Sequence, residues 1–326
     1  MLDAFNRNID YMRVSITDRC NLRCIYCMPG DGVELTAHKE ILTFDEIVRV
    51  CQNAVAIGVR KIKITGGEPL VRKDAPKLLK VIKAVPGIEE VTLTTNGILL
   101  GDHIEELASC GIDGINVSLD TPDRKMYQAI TGFDQLPRVL ESIDKVLEYK
   151  DIPLKINCVP MNISGQKLIE MVSMAKDKPV HVRFIEMMPI GYGRKFAHIG
   201  ELELVKLISE EYGTMVPYNK KLGNGPCRYY QIKGFQGKIG FISAISHQFC
   251  TSCNRIRLTS QGFLKTCLQY ELGCNLKPLL RNGVADEEIV TAMQDCILKK
   301  PQSHAFLAAD FNIPGENRLL MSKIGG

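Results

Sequence analysis

No apolar run in the 326-residue sequence approaches the ~20 residues that a bilayer-spanning helix needs, so no membrane span is expected. No secretory leader is recognisable at its start, which makes the cytoplasm the expected location. Low-complexity tracts are missing, and so is the polar bias of a disordered chain. Hydrophobic residues make up 45%, enough for a real core in one large domain or two moderate ones. A strong excess of one charge is also lacking. The formal net charge of +4 gives no coat for a nucleic acid, although local basic clusters can still hold an anion.

Cysteine is plentiful by contrast, with twelve residues, six of them in two tight groups. In a chain of this length with no secretory leader, metal-bound thiolates in a reducing compartment are expected rather than disulfides. The first group, Cys20-Asn21-Leu22-Arg23-Cys24-Ile25-Tyr26-Cys27, has the spacing C-x3-C-x2-C. Three local thiolates without a local fourth suit an iron–sulfur cluster with one open iron. A zinc loop completed by a distant residue, or three small buried side chains, remain open on spacing alone. An apolar run, Tyr11 to Thr17, feeds this loop, and Tyr26 is placed to cover a bound ligand.

Short apolar runs recur at 61–65, 91–95, 114–119, 154–159 and 180–186. They are separated by helix-like segments at about 73–84, 101–110, 135–149 and 163–177. An earlier helix opens at a capping box, Thr43 to Glu46, and stops at Gly58. Counting the run at 11–17, strand alternates with helix six times. This predicts an α/β fold: a partial (β/α)6 TIM-like barrel, short of the eight units of a closed one. After Pro189 the rhythm breaks. Short strands near 214–218, 227–233 and 238–244 and helices at about 201–212 and 286–298 predict a smaller α+β region closing the open side. Expected domains are therefore 1–189 and 190–326.

In such a barrel, ligands bind at the C-terminal ends of the strands. The cysteine loop, Gly66-Gly67-Glu68-Pro69, Thr94-Thr95-Asn96-Gly97, Ser118-Leu119-Asp120 and Arg183 with Met187-Met188 all fall there. Each also has a plainer reading as a turn or helix cap. The second cysteine group is Cys250-x2-Cys253-x13-Cys267. With Cys274 as fourth ligand, its spacing favours a zinc ribbon. Arg255 and Arg257, two apart on a strand, point to one face and form a fork for phosphate oxygens. Lys61, Lys63, Lys155 and Arg183 also lie on strands, and burying so much positive charge is costly without an anion.

The C-x3-C-x2-C loop with Tyr26, followed by Gly66-Gly67-Glu68-Pro69, resembles the radical S-adenosylmethionine (SAM) superfamily. Within it, several features resemble the GTP 3′,8-cyclase family of molybdenum-cofactor biosynthesis. These are Arg13, Thr17-Asp18-Arg19-Cys20-Asn21, the second cysteine group with Arg255 and Arg257, and the Gly325-Gly326 ending. The resemblance implies a lyase with two [4Fe–4S] clusters, held by Cys20, Cys24 and Cys27 and by Cys250, Cys253 and Cys267. It implies SAM at Tyr26, Gly67, Ser118 and Met188. It implies GTP at Arg13, Lys63, Thr94, Lys155, Arg255, Ile256 and Arg257, with guanine on the open iron of the second cluster, which leaves Cys274 spare. The implied reaction uses a 5′-deoxyadenosyl radical to abstract the ribose C3′ hydrogen. It yields (8S)-3′,8-cyclo-7,8-dihydroguanosine 5′-triphosphate, the first step toward molybdopterin. The implied partners are an electron donor and a cyclic pyranopterin monophosphate synthase that consumes the product. Nucleic acid is not expected, and a homodimer is compatible with the resemblance. The terminal Gly325-Gly326 is implied to reach the active site.

Two departures stand out. Lys63 replaces a more usual arginine, exchanging a bidentate fork for a point charge. Asn6-Arg7 replaces a more usual Gly-Arg. Two rival readings are a radical SAM peptide-modifying maturase with an auxiliary cluster and a zinc-stabilised binding protein.

Overall fold

The computed structural model describes residues 1–197, 199–306 and 320–325. Its strands are β1 (Tyr11–Ser15), β2 (Lys61–Thr65), β3 (Glu90–Thr95), β4 (Ile115–Ser118), β5 (Leu154–Cys158), β6 (His181–Ile185), β7 (Met215–Tyr218), β8 (Arg228–Ile232), β9 (Ile239–Ile242), β10 (Arg255–Leu258), β11 (Phe263–Lys265) and β12 (Gly273–Asn275). Its helices are α1 (Phe44–Ala56), α2 (Ala75–Lys83), α3 (Leu100–Ser109), α4 (Arg124–Thr131), α5 (Leu136–Leu147), α6 (Leu168–Asp177), α7 (Glu201–Tyr212), α8 (Lys277–Arg281), α9 (Asp286–Leu298) and α10 (Met321–Ile324).

All the strands belong to one sheet, ordered β12-β11-β10-β1-β2-β3-β4-β5-β6-β9-β8-β7. The expected six parallel strands, β1 to β6, form its middle. The region after residue 190 does more than cover the open side. It lays β10 parallel to β1 and β9 parallel to β6, then ends each edge with antiparallel strands. The parallel series thus runs to eight strands, and the sheet is not closed into a ring by hydrogen bonds.

Alternation along each strand separates two environments. Met12 and Val14, Ile62 and Ile64, and Ile256 and Leu258 are buried in the apolar core with the helices. Residues of the other parity, including Arg13, Lys63, Asn116, Lys155 and Arg257, line a cavity inside the curved sheet. Helix α1 shows how local sequence sets this frame. Thr43 Oγ1 accepts the Glu46 N–H at 3.2 Å, and the Glu46 carboxylate accepts the Thr43 N–H at 2.7 Å. One face of α1, with Ile47, Val50, Cys51 and Ala54, is buried, and Gly58 ends the segment at φ +92°. The sequence reading missed α4, whose N-cap is Asp123, accepting the Met126 N–H at 2.8 Å.

Candidate active site

The cavity runs along the inside of the sheet. At the C-terminal ends of the strands it is lined by Cys20, Cys24, Tyr26, Cys27, Gly66, Gly67, Ser118 and Met188. Deeper, it is lined by Arg13, Lys63, Thr94, Lys155, Arg183, Arg255 and Arg257, and toward the N-terminal ends by Tyr11, Glu90 and Gly114. The residues expected at the first cysteine loop, the SAM side and the triphosphate side therefore line one cavity, whereas Cys250, Cys253 and Cys267 are not among its lining residues. Ile256, expected there only through its backbone, has its side chain buried in the core.

The cysteine loop is braced by the Gly-Gly turn. Gly67 donates its N–H to Thr17 O and Glu68 to Arg19 O, both at 2.8 Å. A Cβ on Gly67 would stand 2.5 Å from Arg19 O, so only glycine lets the two segments meet. Glu68 then joins β2 to β3, accepting the Thr95 hydroxyl at 2.8 Å and the N–H of Leu70 at 3.0 Å. Burial pushes its carboxyl up to about 7 despite these bonds. Asn96 carries the connection onward, donating to Asn21 Oδ1 at 2.7 Å and toward Cys20 Sγ at 3.9 Å. On the far side, Tyr26 donates to Asp120 Oδ2 at 2.8 Å, and Asp120 also accepts the Val159 N–H. Burial raises the Asp120 carboxyl to about 6.

The deeper part is electropositive. Arg257, Arg13 and Lys63 occupy matched positions on β10, β1 and β2, so three cations stand side by side. Burial and then the surrounding cations push Lys63 and Arg257 well below their ordinary values, and Lys155 down to about 8. Arg183 is oriented by Asn157 Oδ1 at 2.9 Å and Asn116 Oδ1 at 2.6 Å. Sequence reasoning missed these two asparagines, although each occupies an inward position of its strand.

The second cysteine group begins just before β10. Burial opposes a Cys253 thiolate, but the charges of Arg255 and Lys300 prevail and bring the thiol down to about 6. Arg7, buried and paired with Asp3 at 2.6 Å, donates to the carbonyls of Cys250, Pro301 and Gln302. Cys274 donates to Ala292 O at 3.6 Å and interacts with Cys296. None of the twelve cysteines is in a disulfide. Among the described residues, no three His, Cys, Asp or Glu converge on a point where a single metal ion would sit. The thiols of Cys20, Cys24 and Cys27 lie close enough to influence one another, and an all-thiolate set of this kind suits a multinuclear iron–sulfur centre, in which each sulfur binds its own iron.

In the tail that the resemblance implies at the active site, Gly325 O accepts from Arg257 Nη1 at 3.2 Å, and a Cβ on Gly325 would stand 2.7 Å from Ser15 Cβ. Gly326 lies outside the described residues. Among the described residues no helix is long and apolar enough to cross a membrane.

Residues 14–175 match the family model described as the Radical SAM superfamily, and residues 180–306 match the one described as Molybdenum Cofactor Synthesis C. The chain is 42% identical over 327 residues to a GTP 3′,8-cyclase of Clostridium perfringens, with 100% of both chains covered. It is 43% identical over 330 residues to one of Syntrophomonas wolfei, again with 100% of both covered. It is 40% identical over 312 residues to the Molybdenum cofactor biosynthesis protein 1 of Dictyostelium discoideum, covering 94% of this chain and 49% of that one. Among solved structures, Streptococcus suis SuiB bound to S-adenosylmethionine matches with a TM-score of 0.61 at 17% identity, covering 90% of this chain and 68% of that one, a likeness of fold. Full-length identity above 40% settles the family: the chain belongs to the GTP 3′,8-cyclases, radical SAM enzymes of molybdenum cofactor biosynthesis.

Proposed function

We propose that the protein converts GTP to (8S)-3′,8-cyclo-7,8-dihydroguanosine 5′-triphosphate, with residues 1–189 generating the radical and 190–326 completing the substrate site. The observation that carries this reading is the row Arg257–Arg13–Lys63, a cation array in the same cavity as Cys20, Cys24 and Cys27. Such an array needs a polyanion, and a nucleoside triphosphate supplies one.

Cys20, Cys24 and Cys27 would hold one [4Fe–4S] cluster, and Cys250, Cys253 and Cys267 a second. With SAM bound, the first cluster would supply one-electron reductive chemistry, giving a 5′-deoxyadenosyl radical for hydrogen abstraction at ribose C3′. The chain's own residues position the reactants. Tyr26, held by Asp120, covers the SAM side with Gly67, Ser118 and Met188. Arg13, Lys63, Thr94, Lys155 and Arg257 clamp the triphosphate and set the ribose beneath the SAM site. Arg255, with the backbone at Ile256, orients the base beside the second cysteine group. The buried strand faces exclude water from a reactive radical. An electron donor supplies each turnover, and the product suits a cyclic pyranopterin monophosphate synthase.

The test is iron and acid-labile sulfide on anaerobically purified protein beside Cys250→Ala, followed by turnover with GTP, SAM and a reductant. About eight irons, falling to about four in the variant, are expected. About four irons with one zinc, or no cyclised product, would overturn the reading.

A further inference from the structure

The segment Leu320–Gly325 enters the cavity, and Met321 and Ser322 line it. It is pinned by Lys323, whose ammonium donates to Asp18 Oδ2 at 2.9 Å, Glu34 O at 2.7 Å and Thr36 Oγ1 at 3.1 Å. Asp18 is wholly buried and also accepts the Thr36 N–H at 3.0 Å. The segment therefore attaches to the stretch leading into Cys20. Its two ends touch different things. The Ser322 main chain lies within hydrogen-bonding reach of Cys27, while the Gly325 carbonyl accepts from Arg257.

Between these contacts the Ser322 hydroxyl is buried, at 2% exposure, and has no hydrogen-bond partner among the described residues. A buried hydroxyl without a partner costs stability, so its presence on a cavity wall points to a ligand that completes it. Three residues on from Ser322, the Gly325 carbonyl accepts from Arg257 of the cation row, so the segment runs from the first cysteine loop to the electropositive part of the cavity, and the nucleotide is the ligand put to the test.

We infer that Ser322 is a substrate-contacting residue, its hydroxyl held over the cavity by the Lys323–Asp18 latch to hydrogen-bond the phosphorylated nucleotide. This rests on the GTP reading above. The hydroxyl can donate to a phosphate or ribose oxygen and accept from a ribose hydroxyl. The latch keeps that donor in place before substrate arrives, and so lowers the ordering cost of binding.

The experiment uses cluster-loaded protein and three variants: Ser322→Ala, Lys323→Met and Lys323→Arg. Ser322→Ala should leave the melting temperature without nucleotide unchanged or higher, since it removes an unsatisfied polar atom. It should raise KM for GTP about tenfold with KM for SAM unchanged. Lys323→Met should expose the 320–325 segment to protease without nucleotide and raise KM for GTP. Lys323→Arg should restore both. A lower melting temperature with KM for GTP unchanged would make Ser322 a packing residue and sink the inference. A raised KM for SAM alone would overturn the assignment to the nucleotide. Retained protease protection in Lys323→Met would remove the latch. The protease readout needs no GTP, so it separates a failed latch from a failed GTP reading, which would appear as absent turnover in the unaltered protein.

Discussion

Glu68 Oε2 accepts the backbone N–H of Asn96 at 2.6 Å, so one buried carboxylate ties the end of β2 to the turn that follows β3. Replacing it by alanine strands that N–H, the Leu70 N–H and the Thr95 hydroxyl. Each unsatisfied group costs about 1–3 kcal/mol, so Glu68→Ala should lose about 3 kcal/mol or more in denaturant unfolding of the loaded protein. Asn96 loses its support as well, and the Cys20 loop should load iron more slowly.

Gly67→Ala should act at the same place by a different route. The new Cβ meets two backbone oxygens, Arg19 O at 2.5 Å and Asp18 O at 2.8 Å, so the chain before Cys20 must move. Iron should fall from about eight to about four per chain. Gly30→Ala is the control, because a Cβ there meets nothing within 4 Å.

Arg7 should support the opposite site. Arg7→Met leaves Asp3 buried without its partner, a cost of about 3–5 kcal/mol. It also frees the carbonyls of Cys250, Pro301 and Gln302. Iron at the second site should be lost while SAM cleavage at the first persists, which assays of 5′-deoxyadenosine and of total iron can separate.

Lys155 gives a pH dependence with two opposite signs. Burial first, then the Arg183 charge, brings its ammonium down to about 8. Above that pH the free protein loses a cation, so kcat/KM for GTP should fall as pH rises through about 8. Lys155→Arg keeps its charge and should shift that fall upward. Stability moves the other way. The unfolded chain holds the proton up to the ordinary lysine value, so this lysine's penalty is full below pH 8 and is relieved between about 8 and 10.5.

The βα rhythm was legible because each strand sets apolar residues on its core-facing side, as Ile62 and Ile64 do, in short runs between helical patterns. Lys61–Thr65 and Glu201–Tyr212 come out at the expected bounds. The cysteine loops, the Gly-Gly turn and the Arg-x-Arg strand were legible as spacings. The partners of β1 and β6 beyond the central six were not, since a four-residue strand carries no sign of which distant edge it will meet. Asn116 and Asn157 were equally hidden, since a polar residue in a strand looks solvated until the fold places a guanidinium against it; Asp18 was visible within its motif, but its partner Lys323 was not. Asn6 is an intermediate case. The resemblance placed a more usual glycine there, and the structure shows why: φ is +59°. Asn6→Gly should therefore be close to neutral, while Asn6→Ala should cost about 1 kcal/mol in thermal unfolding.

The pairing of β1 with β10 bears on how the protein is made. Tyr11 lies opposite Arg255, so one edge of the first strand waits for residues synthesised about 240 positions later. At ribosomal rates of roughly 5–20 residues per second, that edge stays open for about 10–50 s. The loop that follows this strand carries Cys20, Cys24 and Cys27. Until β10 is made, the strand that carries this loop is paired on one side only, with β2, so the loop's final setting waits for the last quarter of the chain.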